Sequence, residues 1–359
     1  IVQNSYDELG QLKQKKLAPE YNSNAGIETL DYEYNIRGWM KGINKDYTNG
    51  TSNTRWFGQT LSYDHGFTTQ QYNGNISGLQ WRSKNDGEQR AYGFTYDKVN
   101  RLSVADFTQY TGSAWNNSAG IDFTNNNISY DANGNILTMD HKGWKLGGSF
   151  SIDRLSYSYI TNSNKLQKVV DATTTDNKLG DFYDGTSGSN NDYSYDVNGN
   201  LTLDNNKAIS AITYNHLNLP SVITVTGKGT IAYGYDANGN KLMKITTDNT
   251  VTPARITTIL YYDGFVYQND TLQFMGHEEG RIRPKENDFV YDYFIKDHLG
   301  NIRVVLTEEQ QTDAYPAATM EEANASIEET FYSNLSQTRV DVPNGYPANT
   351  PPGNEKVAK

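Results

Sequence analysis

The chain has 359 residues, a formal net charge of −11 at pH 7 and no cysteine. Its acidic balance speaks against nucleic acid as a partner, because a phosphate-binding surface needs clustered Lys and Arg, and the missing thiols exclude disulfides and thiolate chemistry. No apolar run reaches the roughly eighteen residues that a bilayer span requires, so no membrane insertion is expected, while 31 Gly, 27 Tyr and only 9 Pro are the composition of strands and turns.

In chain order, residues 1–100 carry degenerate copies of one short pattern: Tyr6-Asp7-Glu8-Leu9-Gly10, Tyr34-Asn35-Ile36-Arg37-Gly38, Tyr63-Asp64-His65-Gly66 and Tyr96-Asp97-Lys98-Val99-Asn100. Trp39, Trp56 and Trp81 stand at the ends of the intervening strands as expected packing anchors. The pattern is clearest at Tyr130-Asp131-Ala132-Asn133-Gly134-Asn135, Tyr195-Asp196-Val197-Asn198-Gly199-Asn200 and Tyr235-Asp236-Ala237-Asn238-Gly239-Asn240. Asp at the head of a type I turn accepts from the N–H groups ahead of it, and Gly supplies the positive φ that returns the chain antiparallel. Each copy therefore reads as strand, turn, strand. Steps of 19 and 21 residues from Tyr195 to Tyr214 to Tyr235 set a repeat too short to bury its own apolar face, so hairpins must pair edge to edge.

Between the copies, 152–160, 165–170, 221–226, 255–262 and 289–295 read as strands, and Asn116-Asn117-Ser118 and 187–191 as loops. After Leu306 the pattern changes. Thr319-Met320-Glu321-Glu322 has the spacing of a capping box, and Met320, Ala323, Ile327 and Phe331 share one helical face, so a helix is predicted over 320–331. Residues 342–359 read as an extended strap or linker. The expected fold class is all-β, an antiparallel hairpin array wound into a curved shell or spiral barrel with a short C-terminal helix. Its predicted parts are a shell segment at 1–306 and a C-terminal extension at 307–359. The chain opens close to a repeat turn and ends without a cap, as a fragment of something longer would.

These Tyr-Asp-x-x-Gly-Asn units resemble the YD repeats of the Rhs/YD-repeat family. The stretch from Tyr291 through Asp297-His298-Leu299-Gly300-Asn301-Ile302-Arg303 to Leu306 is similar to that family's repeat-associated core motif, taken here as 277–306. His277-Glu278-Glu279-Gly280-Arg281 and Thr330-Phe331-Tyr332 are similar to the Bacteroidota branch. The resemblance implies a secreted or outer-membrane, surface-exposed protein exported by a type IX system. It also implies a hollow shell like those of Tc-toxin components and teneurins, closed by the core segment and, in polymorphic toxins, holding a C-terminal toxin. The expected partners are the protein's own C-terminal module, other proteins including secretion machinery, and a glycan. Autoproteolytic Rhs cores carry an Asp-Pro beyond the core motif, and no Asp-Pro occurs here; the chain instead runs through Asp313-Ala314-Tyr315-Pro316, so self-cleavage is not expected.

Catalytic constellations are wanting. His65, His141, His216, His277 and His298 have no metal-ligand spacing, and His277-Glu278-Glu279 lacks the second His of a zinc-protease helix. Asp297-His298 could be a carboxylate–imidazole pair, but it occupies a repeat turn. The series Asp7, Asp64, Asp97, Asp131, Asp196 and Asp236 could line up for calcium, or each Asp could cap its own turn. Gly227-Lys228-Gly229 opens no helix and reads as a turn. No enzyme activity, cofactor or metal is expected; a shell or scaffold role leads, with a surface adhesin or cell-surface machinery component that binds a glycan or protein through Tyr and Trp faces as the alternative. Leu299, Ile302, Val304 and Leu306 are expected to form an apolar face that, with the helix, closes the end of the sheet.

Overall fold

The computed structural model describes residues 1–145, 148–173, 181–185, 191–286, 288–309, 318–343 and 356–358. The loop positions 187–190, the stretch 313–316 and most of the strap (344–355 and Lys359) lie outside the described residues. Two units are present, Ile1–Glu308 and Glu309–Lys359.

The first unit is a succession of antiparallel strands paired in sequence order, except that Leu102–Tyr110 pairs with both the short Trp115–Asn116 and Asn125–Tyr130. A 13-stranded sheet runs from Val2–Tyr6 to Leu166–Asp171 and a 12-stranded sheet from Tyr193–Tyr195 to Ile302–Thr307. Such a meander needs no crossovers, because every connection joins adjacent strands. Of the predicted strands, 255–262 is reproduced as Arg255–Tyr262, and the others shift by a few residues, as in Pro220–Val225 and Asp288–Lys296. Residue 116, expected in a loop, belongs to the short strand Trp115–Asn116, which pairs with Leu102–Tyr110.

Where the backbone pairing breaks, a buried polar side chain takes over. Between the two sheets, Asp192 is fully buried; its N–H donates to the Gln167 carbonyl at 3.0 Å and its carboxylate accepts from Val169 N–H at 2.8 Å. Asn44, also fully buried and left-handed at φ 47°, accepts from Asp31 N–H and donates to the Phe57 carbonyl. Both solve the same problem: an interior N–H or C=O left unpaired costs about 1–3 kcal/mol.

The core is not spread evenly along the array. Leu17, Ala18, Leu30, Ile43 and Phe57, from the first strands, form one buried cluster with Tyr293, Ile295 and Leu306 from the last hairpin. The array therefore curls until its end packs upon its beginning.

The second unit departs from the predicted single helix. A 3-10 turn, Glu322–Asn324, precedes the helix Ala325–Phe331, and a separate turn of helix follows at Leu335–Thr338. The expected capping box does not form, since Thr319 Oγ1 and N–H both donate to the buried Glu328 (2.5 and 2.6 Å) rather than Glu322 reaching back. The predicted apolar face is open, with Ile327 and Phe331 exposed. Within the expected strap, Lys356–Ala358 pairs with Arg339–Asp341 as a two-stranded ribbon.

Candidate functional site

The repeat turns share one geometry. Asp131 accepts from the N–H groups of Asn133 and Asn135 at 2.8 and 2.9 Å, Asp196 from those of Asn198 and Asn200 at 2.9 and 2.8 Å, and Asp236 from those of Asn238 and Asn240, both at 2.8 Å. The second carboxylate oxygen of each takes the side-chain amide of the closing Asn. That bond, reinforced by the backbone donors, holds all three carboxyls below the usual carboxylate range. Gly134, Gly199 and Gly239 sit at φ 90°, 89° and 85°, and a register shift falls between the repeat Tyr and the residue before it in each hairpin, as a type I turn closed by a Gly bulge requires. Asp7 and Asp97 cap their turns in the same way. The structure thus gives each of these carboxylates a local task. Tyr63-Asp64-His65-Gly66 is different: it opens a long connection, 63–77, between Phe57–Ser62 and Gly78–Ser83, so the predicted tight hairpin is absent there.

The tyrosines do something that the sequence pattern did not reveal. Tyr130 Oη donates to the Leu102 carbonyl at 2.7 Å, Tyr195 to Leu166 at 2.8 Å, Tyr214 to Leu201 at 2.5 Å and Tyr235 to Pro220 at 3.0 Å. Tyr63, Tyr96 and Tyr159 make the equivalent bond to Met40, Ile76 and Ile136. Most acceptors are the residue just past an earlier turn, so each of these seven Tyr staples its own hairpin to one that precedes it. The turn tips join as well: Asn164 accepts from Asn133 and Asn135, and Asn218 from Asn198 and Asn200. The constant spacing of an aromatic and an Asn about the turn is the signal of these bonds in the sequence.

The core motif lies where the array closes. Asp297 caps the last turn through Leu299 and Asn301 N–H (both 2.9 Å) and receives Arg303 Nε at 2.8 Å. Burial alone would raise its pKa, but the Asn301 and Arg303 bonds outweigh it and hold the carboxyl low. Gly300 has φ 85°. His298 faces the other way: the Gln59 amide donates to its Nδ1 at 2.8 Å across 239 residues of sequence, which fixes the neutral ring. Burial, countered in part by Asp297 and assisted by Arg303, lowers its pKa. Asp297 and His298 are thus engaged with different partners instead of with each other. Beside them Lys15 and Glu279 form an ion pair at 2.6 Å, and the buried Asp292 takes Arg281 and Arg283 at 2.8 and 2.7 Å. The expected apolar face is only partly used, because Leu299 (74% exposed) and Ile302 (50%) face solvent whereas Leu306 is 5% exposed. Burial begins only where the strand has reached the N-terminal strands.

The aromatic residues divide. Trp81 stacks on Tyr92 at 5.5 Å and Trp39 packs on Tyr63 at 5.2 Å, as anchors should; Trp56 is more open, with Lys84 Nζ 4.1 Å from its ring. Among the described residues Asp153, Asp171 and Asp181 bring carboxylate oxygens within 4.8 Å of one another, a cluster that spacing did not disclose. Asp153 already accepts from Phe182 N–H and Asp171 from Arg154 and Thr173 N–H.

A tyrosine-stapled hairpin array closed by its own last hairpin is an all-β scaffold in architecture. Neither a protein-family model nor a curated protein sequence matches the chain. Solved structures do. The crystal structure of TcdB2-TccC3 without its hypervariable C-terminal region is similar over 87% of this chain at 15% identity and a TM-score of 0.53. A Tc holotoxin pore from Photorhabdus luminescens is similar over 86% at 14% identity with a TM-score of 0.45. The chain spans 15% and 16% of the length of those two chains. The first likeness establishes the fold that the two share.

Proposed function

We propose that this chain is a non-enzymatic shell segment of an Rhs-type protein of the Bacteroidota kind, secreted or held at the outer-membrane surface, that encloses or presents a C-terminal cargo module. The observation that carries the reading is the closure of the array, in which Tyr293, Ile295 and Leu306 pack onto Leu17, Leu30 and Phe57. An array that ends on its own beginning makes a wall, and a wall stiffened by turn-to-turn bonds suits containment better than turnover. The histidine contacts support the same view: His298 holds Gln59, His277 accepts from Glu279 N–H, and His141 lies 3.3 Å from Asp153, all within the wall itself. The likeness to TcdB2-TccC3 supports the scaffold part of the reading.

The test is protease access. An unstructured reporter polypeptide is fused after Lys359, and its cleavage is compared with that of the same reporter fused to an unrelated domain. Slowed cleavage that is restored by Leu306→Ala is the expected result. Cleavage at the free rate, with the wall itself intact, would overturn containment.

A further inference from the structure

The connection 63–77 arches over the sheet face opposite the one that carries Phe57 and Trp81, and beneath it lies a cavity of about 450 Å³. That volume falls within the roughly 300–1,000 Å³ of small-molecule sites. Its floor is built by register. Gly78 pairs with Gly93, and Gly93 with Asp106; one step along, Gln80 pairs with Ala91, and Ala91 with Thr108. The glycines are required by the arch, since a Cβ on Gly78 would stand 2.2 Å from the Phe67 ring and one on Gly93 3.3 Å from it. Phe67 thus lies flat on a notch cut for it, and the remaining floor is polar.

Three observations point to an occupant. Ser77 lines the cavity and is fully buried, yet its Oγ has no hydrogen-bond partner, although buried hydroxyls are ordinarily satisfied. Asp106 presents an exposed carboxylate whose contact with Thr124 Oγ1 is long, at 3.5 Å. Trp115 closes the rim, 38% exposed, its ring braced on Tyr110 at 5.6 Å.

The lining selects the ligand class. It contains no Lys, Arg or His, so it offers no counter-charge to a phosphate, sulfate or carboxylate. One carboxylate does not make a cation site, which takes several oxygen ligands. Hydroxyls, one amide and one carboxylate acceptor, set beside Phe67 and Trp115, match a molecule that presents many hydroxyl groups on one side and an apolar C–H face on the other. We propose that this cavity is a binding site for an uncharged saccharide unit, with Asp106 and Gln80 taking its hydroxyls, Ser77 gaining its missing partner and Trp115 covering the ring. The site stands on its own geometry and does not depend on the shell reading.

The experiment titrates the intact chain with glucose, galactose, mannose and N-acetylglucosamine, and with glucuronate and tetramethylammonium as charged comparators, reading tryptophan fluorescence and calorimetric heat. At least one neutral sugar should saturate at millimolar concentration or below, insensitive to salt. Asp106→Asn should weaken it roughly ten- to hundred-fold, the scale of a hydrogen bond to a charged group, and Trp115→Ala should weaken it as well. Both positions are exposed enough to be changed without loss of fold, which unchanged circular dichroism would verify. No saturable binding by any neutral sugar would overturn the proposal. So would binding that survives Asp106→Asn unchanged, or saturation by tetramethylammonium or glucuronate in place of the neutral sugars.

Discussion

The strands from Tyr193 to Tyr262 and those from Leu12 to Phe107 are built to the same plan and held by different means. The first stretch has the clearer repeats and, apart from Ile212, no buried hydrophobic side chain among its described residues; the second has worn repeats and holds Leu17, Leu30, Ile43, Phe57, Leu61, Ala91 and Phe107 in its interior. Repeat fidelity and core formation are therefore separate properties. A faithful cassette spends its positions on Asp, Asn, Gly and Tyr, which satisfy backbone groups and staple neighbours. The aliphatic residues at the turns of the divergent copies, Leu9, Ile36 and Val99, stay exposed, so the buried Leu17, Leu30, Ile43 and Phe57 come from the strands between the turns, where the sheet meets its own other end. Turn chemistry stabilises one region and area buried at the seam stabilises the other.

That contrast can be broken most forcefully at the seam. Leu306→Ala removes a side chain that is 5% exposed within the shared cluster, and a loss of about 2–5 kcal/mol is expected from lost burial and the cavity left behind. Urea unfolding followed by hydrogen exchange should report the loss in the first strands as well as in Ile302–Thr307, although some 290 residues separate them in sequence. Leu299→Ala, at an exposed tip, should leave the midpoint unchanged.

A smaller effect belongs to the regular stretch. Gly199→Val places a β-branched residue at φ 89°, and the expected cost is about 1–3 kcal/mol of backbone strain. Val197, fully exposed in the same turn, should accept Ala with no change in melting temperature. Equal melting temperatures for the Gly199 variant and wild type would show that the turns are not what holds this region.

The smallest effect sharpens the comparison by pH. His298 is held neutral at the seam with its pKa below the ordinary 6.5. The folded chain then binds fewer protons than the unfolded one, so stability falls as pH drops through 6.5 and levels off below the folded value. Asp196 and Asp236 are lowered from 3.8; their contribution is present above that value and is lost only as pH falls below it. Protease susceptibility at about pH 5.5 relative to about pH 7.5 should therefore rise at the seam and not in the 193–262 strands, and His298→Gln should abolish the difference. Susceptibility that rises equally in both regions would refute the assignment.

The strands and turns were legible because their signals are local: an Asp two and four residues before the N–H groups it caps, and a Gly where φ must be positive. The seam was not, since Gln59 and His298 or Lys15 and Glu279 lie 239 and 264 residues apart and a period says nothing about which copies meet. The cavity under 63–77 was hidden for a related reason. Tyr63-Asp64-His65-Gly66 looks like any other copy, and only the pairing of Ser62 with Gly78 reveals that the chain has travelled fifteen residues before returning. The C-terminal helix misled because the Thr319 N–H that Glu322 would accept in a capping box is taken, together with the hydroxyl, by the buried Glu328 nine residues on.

The tyrosine staples have a direction. Tyr130, Tyr195, Tyr214 and Tyr235 all reach toward carbonyls nearer the N-terminus, so no hairpin is latched until a later one has arrived. A chain folding from its N-terminus would set like a ratchet through these repeats, each of these Tyr locking a hairpin already formed. The hairpin Asp288–Thr307 packs instead on the first strands, so that seam can close only after every repeat between its two sides has formed.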